Sequence, residues 1–184
     1  QLPVKRGGLN SSAVYIDGGN TFNPYAVSAV AREYGLEPKS VLERIMISRA
    51  FTAYQLTALV FEKLEEALKR YRSKLMIVSD ITGLFFDRDV PRKEGKGVFM
   101  KMVRHLSDLA SKRRTLIITS YFPRTYSNRS LFLESALFGR ASTVIRFDES
   151  RSVLKFVLKG NPGLKRFTID FPSNAVTMDM FMEA

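Results

Sequence analysis

The chain has 184 residues, 45% hydrophobic and 26% charged, which suits one folded domain with a sizeable core and excludes a disordered chain. It has no cysteine and one histidine, His105, so disulfides, thiolate metal sites, cysteine nucleophiles and multi-histidine centres are excluded. Lys and Arg number 29 against 18 Asp and Glu, and the net charge of +11 suits a polyanionic partner or, equally, a solvated basic surface.

In chain order, "AVYID" (13–17) is a β-branched and aromatic run that predicts a strand, and "NPYAVSAVAREYG" (23–35) follows with helical spacing. "KSVLERI" (39–45) predicts a short helix and "IMIS" (45–48) a second strand. Residues 53–72 place Leu56, Leu59, Val60, Leu64 and Leu68 on one stripe of a long amphipathic helix. "KLMIVSD" (74–80) and "TLIITS" (115–120) are nearly continuous apolar runs, as expected of strands covered on both faces, with a helix over 97–113 between them. "RGGLN" (6–10) and "KEGKG" (93–97) read as turns. The alternation predicts a doubly wound, mostly parallel α/β sheet flanked by helices. The later runs "STVIRF", "SVLKFVLK" and "LKRFTIDF" predict antiparallel strands at its C-terminal edge, all within a single domain over 1–184.

No apolar run reaches the roughly 20 residues that span a bilayer, and no signal peptide is evident. A cytoplasmic protein with no membrane partner is therefore expected. The chain begins at Gln1 rather than Met, which suggests a segment upstream. His105 reads as a packing residue and "MDMFMEA" as an edge or docking segment.

Ligands of open α/β sheets bind at the carboxyl ends of the strands, which here carry Asp17, Arg49, Ser79, Asp80 and Ser120. Two carboxylates on neighbouring strand ends suit Mg²⁺ or a polarised water, although an Asp at such a place also caps the following turn. Arg49 suits either a phosphate contact or an internal ion pair. There is no Gly-rich phosphate loop in the sequence.

The order of these segments resembles the RecA superfamily. "QLPVKRGGLNSSAVYIDGGNTFNP" is similar to the segment after the Walker A helix of archaeal RadA, and "GLEPKSVLERIMISRAFTAYQ" to its Ala-Arg-Ala-Phe stretch. "KLMIVSDITGLFF" resembles the Walker B strand, "KMVRHLSDLA" the helix after the first DNA-binding loop, and "TLIITSYF" the strand ending in Asn-Gln. The likeness runs from Gln1 to about Phe147. It implies a RecA-like core apparently lacking the Walker A segment, so ATP and Mg²⁺ are expected only if such a segment lies upstream. It also implies that the absent strand belongs in the middle of the sheet. Its loss would leave backbone groups unpaired unless the retained strands close up.

Against that resemblance, Gly19 stands where the family has its water-activating glutamate, Ser79 where it has the Walker B aspartate, and Ser120 and Tyr121 where it has Asn-Gln. Asp80 is offset by one residue, which in a continuing strand turns a side chain to the other face. The two family DNA-binding loops align with 87–97 and 122–135, and imply phosphate contacts from Arg88, Arg92, Lys93, Lys96, Arg124 and Arg129, with Tyr126 as a stacking ring. The expectation is a RadA-like recombination or repair accessory protein that binds DNA or a recombinase, or self-associates, with deficient ATPase activity. The alternatives are an active DNA-dependent ATPase using Asp17 and Asp80, and a scaffold that binds no nucleic acid.

Overall fold

Four aliphatic runs form parallel strands: β1 (Ala13–Asp17), β2 (Ile45–Arg49), β3 (Leu75–Ser79) and β4 (Leu116–Thr119), in the order β2-β1-β3-β4. This is a computed structural model in which residues 1–124, 127–150 and 153–159 are described. It divides into two compact units, Gln1–Leu137 and Phe138–Ala184.

In the first unit, helices α1 (Pro24–Glu33) and α2 (Pro38–Leu42) connect β1 to β2. Asn23 and Glu37 open them, the Asn23 amide oxygen accepting two backbone N–H groups and the two Glu37 carboxylate oxygens one each, with a proline at the first helical position. The stretch predicted as one helix over 53–72 is α3 (Ala53–Ala58) and α4 (Leu64–Arg70), joined by a π-helical turn over Leu59–Lys63. The apolar spacing explains the turn. Leu56, Val60, Leu64 and Leu68 recur every four residues and are all buried, yet a 3.6-residue turn falls behind that spacing by about 40° per step. One wider turn brings the stripe back onto the core.

Helix α5 (Arg92–Arg113) leads into β4 and α6 (Asn128–Phe138) follows it. Both begin inside segments expected to be loops. Residues 93–97, read as a turn, are the opening of α5, with Pro91 as its N-terminal boundary. Residues 128–135 are the opening of α6, where the Ser127 hydroxyl accepts from the Ser130 N–H and Leu133 and Leu137 supply a buried i, i+4 pair.

The core lies between α3–α5 and one sheet face, with Met76, Val78, Leu56, Val60, Phe99 and Met102 fully buried. The other face differs from expectation. Ile47 of β2 and Ile118 of β4 sit in one register row with Tyr15 and Ile77, and are 43% and 46% exposed, with Leu116 at 50%. A continuous apolar run therefore marks β4 as able to be buried on both faces, while as an outer strand it is covered on only one. The four strands also pair without a gap, so the sheet is closed up around β1 and β3 rather than interrupted.

In the second unit, β5 (Val144–Ser150) and β6 (Val153–Lys159) form an antiparallel ladder from Val144↔Lys159 to Ser150↔Val153. The antiparallel pairing expected there is present as a two-stranded sheet of its own. The further strand expected in 164–171 lies outside the described residues.

Phe99 packs edge-on against Phe85, with ring centroids 5.0 Å apart at 76°. Phe99→Ala is expected to cost about 3–5 kcal/mol in urea unfolding, whereas Ile118→Ala, on the open face, is expected to cost under about 1 kcal/mol.

Candidate functional site

Parallel register sets Asp17, Arg49 and Ser79 side by side at the carboxyl ends of β1, β2 and β3. Asp17 is fully buried, and each of its oxygens is occupied. Oδ1 accepts from the Ser79 hydroxyl (2.8 Å) and the Thr21 N–H (2.9 Å). Oδ2 accepts from the Phe22 N–H (3.1 Å) and lies 3.6 Å from Arg49 Nε. Burial pushes the Asp17 carboxyl up, but the Thr21, Ser79 and Phe22 hydrogen bonds and the Arg49 charge together outweigh it and leave it below the usual carboxylate range. Of the two roles open to Arg49, the structure supplies the ion pair. The Ser79 hydroxyl also receives the Gly19 N–H at 3.4 Å, so Asp17 and Ser79 together hold the loop at 18–22 against the sheet.

Asp80 departs from the expected geometry. Strand β3 ends at Ser79 and Asp80 has φ +43°, a left-handed conformation that Asp tolerates better than most residues. The one-residue offset therefore does not carry its side chain to the far face. Asp80 lines a cleft of about 320 Å³ with Gly18, Gly19, Gly83, Asp87 and Arg124. Ser120 maintains this turn: its Oγ accepts the Asp80 N–H (3.1 Å) and its carbonyl accepts the Ile81 N–H (2.9 Å). A Cβ at Gly19 would stand 3.0 Å from Asp80 Cβ, so Asp80 fills space beside the position where a longer side chain would emerge. Asp80 Oδ2 pairs with Arg124 Nη2 at 3.2 Å, and Oδ1 is buried without a hydrogen-bond partner.

The sequence-predicted site residues thus form a structural group and a cleft group. Asp17, Ser79 and Ser120 spend their polar atoms inside the protein, and Asp17 does not line the cleft that Asp80 does. The two aspartates do not converge on a common site.

A second cleft, of about 690 Å³, is lined by Phe86, Arg92, Lys93, Lys96, Ser127, Asn128 and Arg129. It gathers four of the predicted DNA-binding cations, and no carboxylate is among its lining residues. The first two turns of α5 supply Arg92, Lys93 and Lys96, and the first turn of α6 supplies Arg129, so two helix N-termini add their partial positive charge. Burial and then the Arg92 charge push Arg129 down, as expected where positive groups crowd without a counter-ion. Arg129 is fixed by donating to the Val90 carbonyl (3.2 Å), and Lys96 Nζ sits 4.7 Å from the Phe132 ring centroid. Arg124 lies in the other cleft, and Arg88 is exposed on the preceding turn and lines neither. Tyr126 lies outside the described residues.

Comparison with known proteins matches the family model described as Rad51 to residues 1–121. The chain belongs to the Rad51 family. A DNA repair and recombination protein RadA from Metallosphaera sedula is 39% identical over 110 residues, 59% of this chain and 34% of that protein. The chain thus spans about a third of that relative's length. The family match ends at residue 121, short of the Phe147 expected. Strands β1–β4 fall within it and α6 beyond it. Among the described residues, no helix is long and apolar enough to cross a membrane.

Three residues lining the basic cleft were not among the sequence-predicted site residues. Phe86 sits in "GLFF", at the end of the segment that resembles the Walker B strand, and borders both clefts. Ser127 and Asn128 were readable only as part of a helix start, the Ser-x-x-Ser signal before the Leu133 and Leu137 pair.

Because Asp17 binds its proton less readily in the fold than in the unfolded chain, its stabilisation is complete above the ordinary carboxylate range and is lost as pH falls below about 4. Asp17→Asn should therefore cost about 1–3 kcal/mol at pH 7, and urea unfolding from pH 7 to pH 2 should show that difference shrinking in acid.

Proposed function

We propose that this chain is a nucleic-acid-binding member of the Rad51 family that serves recombination or repair as an accessory, without hydrolysing nucleotide at its strand ends. The observation that carries the binding reading is the cleft lined by Arg92, Lys93, Lys96 and Arg129 with no carboxylate among its lining. An uncompensated cluster of this kind is held apart by its own repulsion and gains most from a polyanion, whose phosphates replace absent counter-charge. Phe86 gives the same cleft one aromatic face, which suits an unpaired base more than a duplex edge.

The residues at the strand ends do not fit a hydrolytic Mg²⁺–nucleotide group. Phosphoryl transfer requires a positioned water and positioned positive charge. Gly19 has no side chain to orient a water, and the Asp17 oxygens are already occupied. The unpartnered Asp80 Oδ1 is one oxygen beside a guanidinium, whereas Mg²⁺ takes a near-octahedral oxygen set and is repelled by a neighbouring cation. The cleft lining carries Asp80 and Asp87 against Arg124 alone, a balance that opposes a polyphosphate. These features support the accessory reading over an ATPase built on Asp17 and Asp80. Any ATP and Mg²⁺ would depend on a Walker A segment supplied from outside these residues.

Fluorescence anisotropy with a labelled oligo-dT strand should show binding that weakens steeply with salt. Lys93→Ala/Lys96→Ala should lower affinity at least tenfold and reduce the slope of log K against log salt by roughly 0.7 for each charge removed. Binding that is unchanged by this pair of substitutions, or insensitive to salt, would favour the scaffold alternative. In a phosphate-release assay with Mg²⁺ and single-stranded DNA, the wild-type chain should stay at the buffer background, and turnover abolished by Asp80→Ala would reverse the assignment.

A further inference from the structure

Arg124 is half exposed, at 46% of its side chain, and lies in a segment that also carries the basic cleft's Ser127, Asn128 and Arg129. Yet its guanidinium points to the strand-end cleft, donates to Asp80 Oδ2 at 3.2 Å and lies 5.3 Å from the centroid of the Phe86 ring. Phe86 borders both clefts, so Arg124 stands on the partition between them. From these placements, and resting on the nucleic-acid reading above, we infer that Asp80 is an internal phosphate mimic. By pairing with Arg124 it withholds a fifth cation from the basic cleft, and the ion pair is an autoinhibitory contact.

The local architecture is arranged around this pair. The left-handed turn at Asp80, held by the Ser120 hydroxyl, aims the carboxylate at the cleft. At Gly83 an added Cβ would collide with Asp80 Oδ2 and come within 3.1 Å of Arg124 Nη2, so the missing side chain is what makes room for the contact. The contact is also built to yield. Asp80 satisfies only one of its two oxygens, since Oδ1 is buried without a partner, and the Arg124 side chain is open to solvent on its other side. Arg124 is the half of the pair that is open to water, and a nucleic-acid phosphate offers it an acceptor with two accessible hydrogen-bonding oxygens in place of the single Asp80 oxygen it now meets.

The test is oligo-dT anisotropy on the full 184-residue chain, with circular dichroism melts to establish folding. Asp80→Asn should tighten binding about three- to tenfold, the span expected when one half-exposed arginine is freed for a phosphate contact. Adding Arg124→Ala to Asp80→Asn should erase that gain. Asp87→Asn makes the same charge change in the same cleft and should gain less than about twofold. Gly83→Ala, which wedges the pair apart with both charges retained, should reproduce the gain and serves in place of Asp80→Asn if that variant does not fold. A gain that survives removal of Arg124, an equal gain in Asp87→Asn, or no gain in either latch-breaking variant overturns the inference. If Lys93→Ala/Lys96→Ala still weakens binding in that last case, the nucleic-acid reading stands alone, and if no variant binds oligo-dT both readings fall.

Discussion

The strand-end region depends on one buried carboxylate. Asp17 has no exposure to water, and a charged carboxylate there is tolerable only because two backbone N–H groups, a hydroxyl and a guanidinium surround it. Each partner belongs to a different piece of chain: the loop after β1, the end of β3 and the end of β2. Satisfying this one charge therefore fixes where three segments end and how the loop at 18–22 leaves the sheet. The same contacts engage both Asp17 oxygens inside the protein, so in this structure the carboxylate serves to join the strand ends.

The serine at 79 answers this demand. The position level with Asp17 in the parallel register faces a buried carboxylate. A second carboxylate there would place two like charges in contact without solvent, whereas a serine hydroxyl donates at 2.8 Å. Asp80, one residue later, is past the end of the strand, and its left-handed backbone turns the side chain into the cleft instead of the core. Its proximity to Gly19 makes the two positions interdependent: with Asp80 Cβ 3.0 Å from where a Gly19 Cβ would stand, a long side chain at 19 and the present Asp80 compete for one space. The glycine at 19 and the aspartate at 80 are thus structurally coupled.

The parts of the fold that were legible in sequence are those set by local periodicity. The four strands and the helices between them follow from apolar runs and caps such as Asn23 and Thr52, whose side-chain oxygens accept first-turn N–H groups. The π-turn at Leu59–Lys63 was equally present in the four-residue spacing of Leu56, Val60, Leu64 and Leu68, but is visible only once the pitch of the helix is compared with it. What was not legible depends on pairs distant in the chain. The turn at Asp80 needs Ser120, forty residues on, and the occupancy of Asp17 needs Ser79 and Arg49. The loop assignments at 93–97 and 128–135 failed for a different reason, since glycine and basic residues read as turn chemistry although Pro91 and Ser127 mark helix starts.

The site is therefore best understood as two clefts of contrasting charge separated by Phe86. One is lined by two carboxylates and a guanidinium, the other by four cations and no acid. Neighbouring regions of such different potential do not act independently, because the residue that faces across the partition, Arg124, belongs by position to the basic segment and by contact to the acidic cleft. The link between the two clefts in this chain is a side-chain ion pair. Its strength is set by the exposure of Arg124 and the unsatisfied oxygen of Asp80. On the proposed reading, a nucleic-acid phosphate that draws Arg124 away from Asp80 adds a cation to the basic cleft, so the acidic cleft sets how much positive charge its neighbour presents.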